Sequence, residues 1–331
     1  MFQRQLDVSI INNNGEQLYL VDHELRENTL VCNGTINRYS YGKVDQARVT
    51  INNLSPAKIG DILSRKYLSG GILRIDFGYE DDALLSTLFI GNIQRGHLQR
   101  PDSVSTKFTI YALESGDFVN YGFFSKSYQD GYNVYTIVAD IAKQNNITNI
   151  SIDDELKRYH LKGSTSFCGR ADNLLQQLAQ QCGYKYTKTN GLISISRYGK
   201  IGSEEIIYFT TTGDDGKVYS ASGLIGIPQL TETGLEFECL INPKLNIGGL
   251  VFIDNSIINV AQAVGQFNIG EADIQLGATL SSNGLYRIIS FNTRFANNDS
   301  ESKCSVLAIA ANIFDEYIAN NNGVGKTVTY E

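Results

Sequence analysis

The first hundred residues are rich in short runs that alternate apolar and polar positions with a period of two. Leu6, Val8 and Ile10 are interleaved with Asp7 and Ser9, which predicts a half-buried strand. Asn12 to Gly15 supplies a turn, and Leu18 to Val21 starts the return. Ala47, Val49 and Ile51 alternate with Arg48 and Thr50. Ser55-Pro56 ahead of Ile59, Ile62 and Leu63 reads as an N-cap, a Pro at the first helical position and a short apolar stripe. Ile72 to Phe77 returns to strand.

The period changes in the middle of the chain. Val134, Ile137, Val138 and Ile141 recur at helical spacing, as do Leu174, Leu175, Leu178, Ala179 and Cys182, with Gly183 as a stop. Tyr184 to Arg197 then places Asn190-Gly191 between two alternating runs, a strong hairpin signal. Alternation resumes in Phe237 to Ile241, Leu250 to Ile253 and a hairpin that starts at Tyr286. The chain closes on ANNNGVGKTVTYE, a polar run expected to be mobile until it meets a partner.

One pattern occurs twice. FIGNIQRGHLQRPDSVSTKFTIYAL (Phe89 to Leu113) and YRIISFNTRFANNDSESKCSVLAI (Tyr286 to Ile309) share a strand, a polar turn and a second strand. One face of the second strand is apolar in each: Phe108, Ile110 and Ala112, then Cys304, Val306 and Ala308. Each hairpin follows a Gly-Gly strand, GGILRIDF or GGLVFID. Any β domain contains hairpins, but the shared context points to a duplicated unit. Three chains of two similar units can form a ring of six.

The fold class is therefore mainly β with an α+β insert: two tube-like β-barrel domains separated by a small helix-helix-hairpin domain. The boundaries are 1–118 for the first barrel, 119–200 for the insert, 201–318 for the second barrel and 319–331 for a flexible C-terminal tail.

Composition narrows the function. The 331 residues are 42% hydrophobic and 19% charged, as in an ordinary globular chain. Apolar runs are too short for a transmembrane helix, and the N-terminus lacks the pattern of a signal peptide. The net charge of −7 and the lack of a basic tract speak against tight nucleic-acid binding. Five cysteines without a CxxC pair predict reduced, buried thiols in a protein made in a cytoplasm. A zinc site at His160, Cys168 and Cys182 fits no common spacing.

Catalytic chemistry finds no foothold. His97 continues a strand alternation and reads as a surface residue, and no GxSxG elbow is present. Glu80-Asp81-Asp82 lacks the spacing of a calcium loop and reads as a solvated turn. Gly323 to Thr327 imitates half a phosphate loop, but Asn320 stands where the first Gly belongs. A pair of carboxylates for glycan cleavage need not be adjacent in sequence, and no acid is marked above another. No catalytic, cofactor-binding or metal residue is assigned, and no cofactor is expected.

Three strings together resemble a known family. VTINNLSPAKIGDIL (Val49 to Leu63) is similar to a strand, "NLS", helix element, and FGYEDDALLSTLFIGNIQ (Phe77 to Gln94) to the element that follows it. SGLIGIPQLTETGLEFECLINPKLNIGGLVFI (Ser222 to Ile253) resembles a later stretch of the same group. The group is the baseplate hub proteins of contractile-tailed bacteriophages, of the late-control-protein-D type, related to the hub part of type VI secretion spikes. The likeness runs from about Leu6 to Phe314. It implies a structural protein, not an enzyme: a homotrimer with pseudo-six-fold symmetry between a hexameric tail tube and a trimeric central spike. Other baseplate proteins and the tape measure protein are further partners to expect. DNA would only pass through the central channel, without sequence-specific binding, and no membrane insertion is expected. The place is the virion tail baseplate, assembled in the bacterial host cytoplasm. A channel lined by acidic and polar side chains is expected. The rival readings are the tail-tip hub of a non-contractile tail and a tail-associated peptidoglycan hydrolase.

Overall fold

The structure is a computed structural model. It describes residues 4–24, 30–39, 44–64, 67, 70–79, 84–189, 192–197, 205–212, 217–221, 223–260, 279–298, 302–312 and 328–330. The acidic run at 80–82, the Asn190-Gly191 turn and the string 323–327 lie outside the described residues.

The first β-rich segment contains β1 (Arg4–Ile11), β2 (Gln17–Val21), β3 (Cys32–Tyr39), β4 (Gln46–Asn52), β5 (Ile72–Tyr79), β6 (Ser86–Gln99) and β7 (Lys107–Leu113). Helix α1 (Pro56–Leu63) lies between β4 and β5 and opens as the sequence predicts. The Ser55 side chain accepts from the Lys58 amide, Pro56 stands in the first turn, and Ile59 and Ile62 are buried.

Helix α2 (Gly116–Tyr121) leads into the middle segment, which holds β8 (Phe123–Tyr128), α3 (Val134–Gln144), β9 (Ile150–Ile152), β10 (Tyr159–Leu161), β11 (Thr165–Arg170), α4 (Ala171–Gln181), β12 (Tyr184–Thr189) and β13 (Leu192–Arg197). Both expected helices form. Asn133 caps α3 by accepting from Thr136, and Gly183 follows α4 with a φ of 74°. β12 and β13 pair antiparallel with Thr189 opposite Leu192. β8, β9, β10 and β11 were not legible, being short and without clean alternation.

The remaining strands are β14 (Ile206–Tyr208), β15 (Thr210–Thr212), β16 (Val218–Ser220), β17 (Leu224–Thr231), β18 (Gly234–Cys239), β19 (Leu250–Phe252), β20 (Asn259–Val260), β21 (Leu285–Ala296), β22 (Lys303–Ala310) and β23 (Val328–Tyr330). β23 pairs antiparallel with β10, so these three residues have a partner in the middle segment where a free tail was expected.

The chain is mainly β. The two β-rich segments contribute to one sheet of 14 described strands, whose main path runs β2-β1-β5-β6-β7-β4-β3-β21-β22-β18-β17-β20. Among the described residues that path does not close into a ring in either half. The join is β3 against β21, so the first segment hands its sheet directly to the second. Their apolar side chains form one continuous core, which includes Val49, Ile110, Phe237 and Val306. The middle segment has its own core, in which Val134, Ile137, Val138 and Ile141 of α3 share a cluster with Leu175 and Leu178 of α4.

The thiol expectation needs one correction. Cys32, Cys182, Cys239 and Cys304 are buried, but Cys168 is exposed. It sits on β11, which among the described residues pairs only with β8, and side chains along β11 alternate between half-buried and exposed.

Candidate assembly surfaces

The two β-rich segments repeat one construction. β5-β6-β7-β4-β3 in the first matches β19-β21-β22-β18-β17 in the second, in the same order. The register agrees residue by residue. Ile93 pairs with Ala112, and Ile288 with Ala308; each strand then carries a bulge, resuming at Arg95 opposite Tyr111 and at Ser290 opposite Leu307. Before the hairpins, Ile72 faces Asn92 and Leu250 faces Arg287. Gly70 and Gly248 both turn the chain with positive φ, 82° and 76°. The apolar triplets Phe108/Ile110/Ala112 and Cys304/Val306/Ala308 therefore occupy matching places.

The seam between the segments is a seven-residue ladder from Ser290 opposite Tyr39 to Ala296 opposite Asn33. Gly34 makes room there. A Cβ on Gly34 would lie 2.3 Å from Cζ of Phe295 and 2.6 Å from the Arg48 carbonyl oxygen. The ring of Phe295 fills the space that a side chain at residue 34 would take, and Phe295 is buried in the shared core.

The face of this sheet away from the core is polar. One row crosses six strands: Arg95, Tyr111, Arg48, Thr35, Arg294 and Lys303. Both Arg95 and Arg48 lie over the Tyr111 ring, 4.2 and 5.7 Å from its centroid. Arg48 and Arg294 flank Thr35 and border a concavity of about 320 Å³. Lys303 turns to Glu238, 2.9 Å away. Next to this row, Asn292 donates to Asn37 across the seam.

A second, larger concavity of about 1,140 Å³ lies between the first segment and the middle one, bordered by Asn92, Gln94, Asp117, Tyr121 and Asn145. Amide side chains and apolar ones such as Ile90 and Phe118 line it, and nearby Asn92 donates to Asp117 and Asn120 to Gln94, both at 3.1 Å. It gathers no set of groups suited to acid-base or nucleophilic work.

The residues weighed for chemistry stay apart. His97 is exposed on β6. Cys168 is exposed, Cys182 is in the middle core, and His160 bridges to Asn133 on β10. Among the described residues, one trio of potential metal ligands does meet: Asp7, Asp22 and His23, with ligand atoms within 4.8 Å of one another. Sequence reasoning missed it, because Asp7 is 16 residues from His23 and the sheet brings them together. Asp7 accepts from the His23 amide at 2.7 Å and faces its Nδ1 at 2.8 Å, a geometry that ties down the end of β2. Burial pushes the Cys32 and Cys182 thiols up to about 12, which makes them poor nucleophiles. No helix among the described residues is long and apolar enough to cross a membrane.

Comparison with solved structures places this fold among tail proteins. It is similar to the tail protein from Neisseria meningitidis MC58, with a TM-score of 0.56 and 8% identity over 93% of this chain and 98% of that one. It is also similar to the 43 kDa tail protein of prophage MuSo2 from Shewanella oneidensis, with a TM-score of 0.51 and 11% identity over 92% and 96% of the two chains. No curated protein matches in sequence. A family model described as baseplate hub gp41 matches residues 11–277, well over half of the chain. The chain belongs to the baseplate hub gp41 family and is a structural component of a phage tail baseplate.

Proposed function

We propose that three copies of this chain form a ring of pseudo-six-fold symmetry that joins a hexameric tail tube to a trimeric central spike. The observation that carries this reading is the repeat itself. Each chain holds two matching strand sets joined edge to edge, so three chains present six similar units. Such a ring meets a six-fold tube on one side and a three-fold spike on the other. We assign 1–118 and 201–318 to the two tube-like units, 119–200 to an insert and 319–331 to a tail.

The role is mechanical, and no reaction is assigned to it. DNA passes through the channel without sequence-specific contacts. The tube protein, the spike, other baseplate proteins and the tape measure protein are the partners this reading requires. In a ring closed through strand edges, one sheet face turns inward. The core side carries the body of each unit, so the polar face turns to the channel. That face is polar and mixed in charge, with exposed Arg48, Arg95, Arg294 and Glu236.

The test is to locate an epitope-tagged copy of the chain on purified virions by gold labelling. Label at the baseplate end of the tube, three copies per particle, is expected. Label spread along the tube, or none on the particle, contradicts the reading.

A further inference from the structure

The two matching units differ in one row of side chains. In the first, Leu98 stands opposite Phe108, and Phe108 opposite Ile51. In the second, the same places hold Thr293 opposite Cys304, and Cys304 opposite Cys239. The first row shows that this fold fills the place with ordinary apolar side chains, so packing alone does not call for two thiols. Among the described residues no other cysteines face each other across a strand pair: Cys32 lies opposite Ile51, and Cys168 opposite Ser125.

Residues directly opposite on antiparallel strands have Cα atoms about 4.5 or about 5.5 Å apart, according to the kind of pair. Both values lie within the roughly 4.4–6.8 Å that a disulfide spans. Both side chains are buried, and the Cys239 thiol donates to the Cys304 sulfur. Cys304 Sγ also lies 3.3 Å from the Thr293 hydroxyl and faces the Asn242 amide and the Arg38 guanidinium. From this register and these contacts we infer that Cys239 and Cys304 are an oxidation site, closed to a disulfide between β18 and β22 by a small hydroperoxide.

Access selects the oxidant. Arg38, Asn242 and Thr293, three of the groups around the Cys304 sulfur, border a crevice of about 20 Å³. That space admits a molecule on the scale of water and excludes a bulky one such as oxidised glutathione. The hydrogen bond from Cys239, with those from Thr293 and Asn242 and the charge of Arg38, holds the Cys304 thiol below its ordinary value against the effect of burial. Donating that bond, together with burial, pushes the Cys239 thiol up. Cys304 is therefore the first nucleophile. Its thiolate attacks one peroxide oxygen and the O–O bond breaks. Cys304 becomes a sulfenic acid, and the hydroxide released takes up the proton that Cys304 lost. The Cys239 sulfur then attacks the Cys304 sulfur and the S–O bond breaks. The departing hydroxide takes the Cys239 proton and leaves as a second water. The two thiols lose two electrons, and the peroxide gains them. A tail baseplate travels outside the cell, where disulfides persist. The bond fastens β18 to β22, which is the neighbour of the seam strand β21. It lies within one chain, so the inference stands independently of the ring reading.

The test uses the full chain with Cys168→Ser, which removes the exposed thiol and leaves four cysteines. The folded protein is treated with hydrogen peroxide and then unfolded with an alkylating reagent present. Its free thiols and its linked peptides are counted. The expected result is a fall from four thiols to two, a peptide that joins Cys239 to Cys304, and a return to four with dithiothreitol. Cys239→Ala and Cys304→Ala, each added to the same chain, are expected to give no link. The chain that keeps both thiols carries the result, so an alanine variant that fails to fold does not affect it. Four thiols remaining, a link to Cys32 or Cys182 instead, or unlinked sulfinic acids at Cys239 and Cys304 each overturn the inference.

Discussion

Ile93 and Ile288 occupy the same place in two copies of one hairpin. Each donates its amide to the second residue of a Gly-Gly pair, Gly71 at 2.8 Å and Gly249 at 3.1 Å, and each stands just before the bulge of its strand. Chance does not place the same bond, the same bulge and the same preceding glycine together twice.

The two copies differ in how tightly that glycine is held. A Cβ on Gly71 would come within 1.8 Å of the Tyr67 carbonyl oxygen, while one on Gly249 would lie 3.0 Å from that of Asn246. Backbone oxygen cannot swing away as a side chain can. Gly71→Ala is therefore expected to destabilise by about 2–4 kcal/mol and Gly249→Ala by about 1 kcal/mol or less. Denaturant unfolding of the two variants checks this, and equal losses contradict it.

The seam depends on Gly34 giving its space to Phe295. Phe295→Ala is expected to cost about 3–5 kcal/mol through the cavity it leaves. Gly34→Ala is expected to cost about 2–4 kcal/mol, with part of this relieved when Phe295 is shortened to Leu. The Arg48 carbonyl oxygen remains close, so the relief is incomplete. A double-mutant cycle with strictly additive losses shows that the ring of Phe295 is not what excludes a side chain at residue 34.

How much of this was readable depends on the length of the signal. The alternations at Val49 and Phe108 and the helical spacing of Val134 to Ile141 extend over several residues, and each formed the expected element. The repeated hairpin was visible because its apolar triplets recur. The seam was not, because nothing local in Cys32 to Tyr39 says that it pairs with a strand more than 250 residues away. Asp7 and His23 escaped for the same reason, since the trio is made by strand pairing. The three-residue strands β9 and β10 carry too few positions for any period to appear.

Asp45 makes one side of the fold sensitive to pH. Burial pushes its carboxyl up to about 6, against the pull of Arg38, the Tyr39 amide, Lys188 and Glu114. A raised carboxyl favours the folded state below the unfolded value, and that contribution is lost as pH rises through about 6. The loss amounts to at most about 3 kcal/mol by pH 8. Asp45→Asn is expected to remove this decline, so that its stability relative to the parent improves between pH 4 and pH 8. The same difference at both pH values contradicts the assignment.

In the middle segment, Lys188 and Asp172 form an ion pair at 2.6 Å with side chains 11% and 9% exposed, and Tyr186 donates to the same carboxylate oxygen at 2.7 Å. Asp172→Ala strands a buried ammonium and a buried hydroxyl. A loss of about 3–5 kcal/mol is expected. Hydrogen exchange is expected to show it in α4, β12 and β13, which belong to the separate core, with β3 and β21 unchanged. Equal loss of protection across the seam contradicts separate cores.

The central claim is a ring of three built from six similar units. Its most direct test is the mass of the purified full chain in solution by light scattering, with negative-stain images of the same sample. The account predicts three times the 36.6 kDa chain and a three-fold ring with a central hole. A stable monomer or a closed two-fold dimer, unchanged on adding the spike protein, contradicts it.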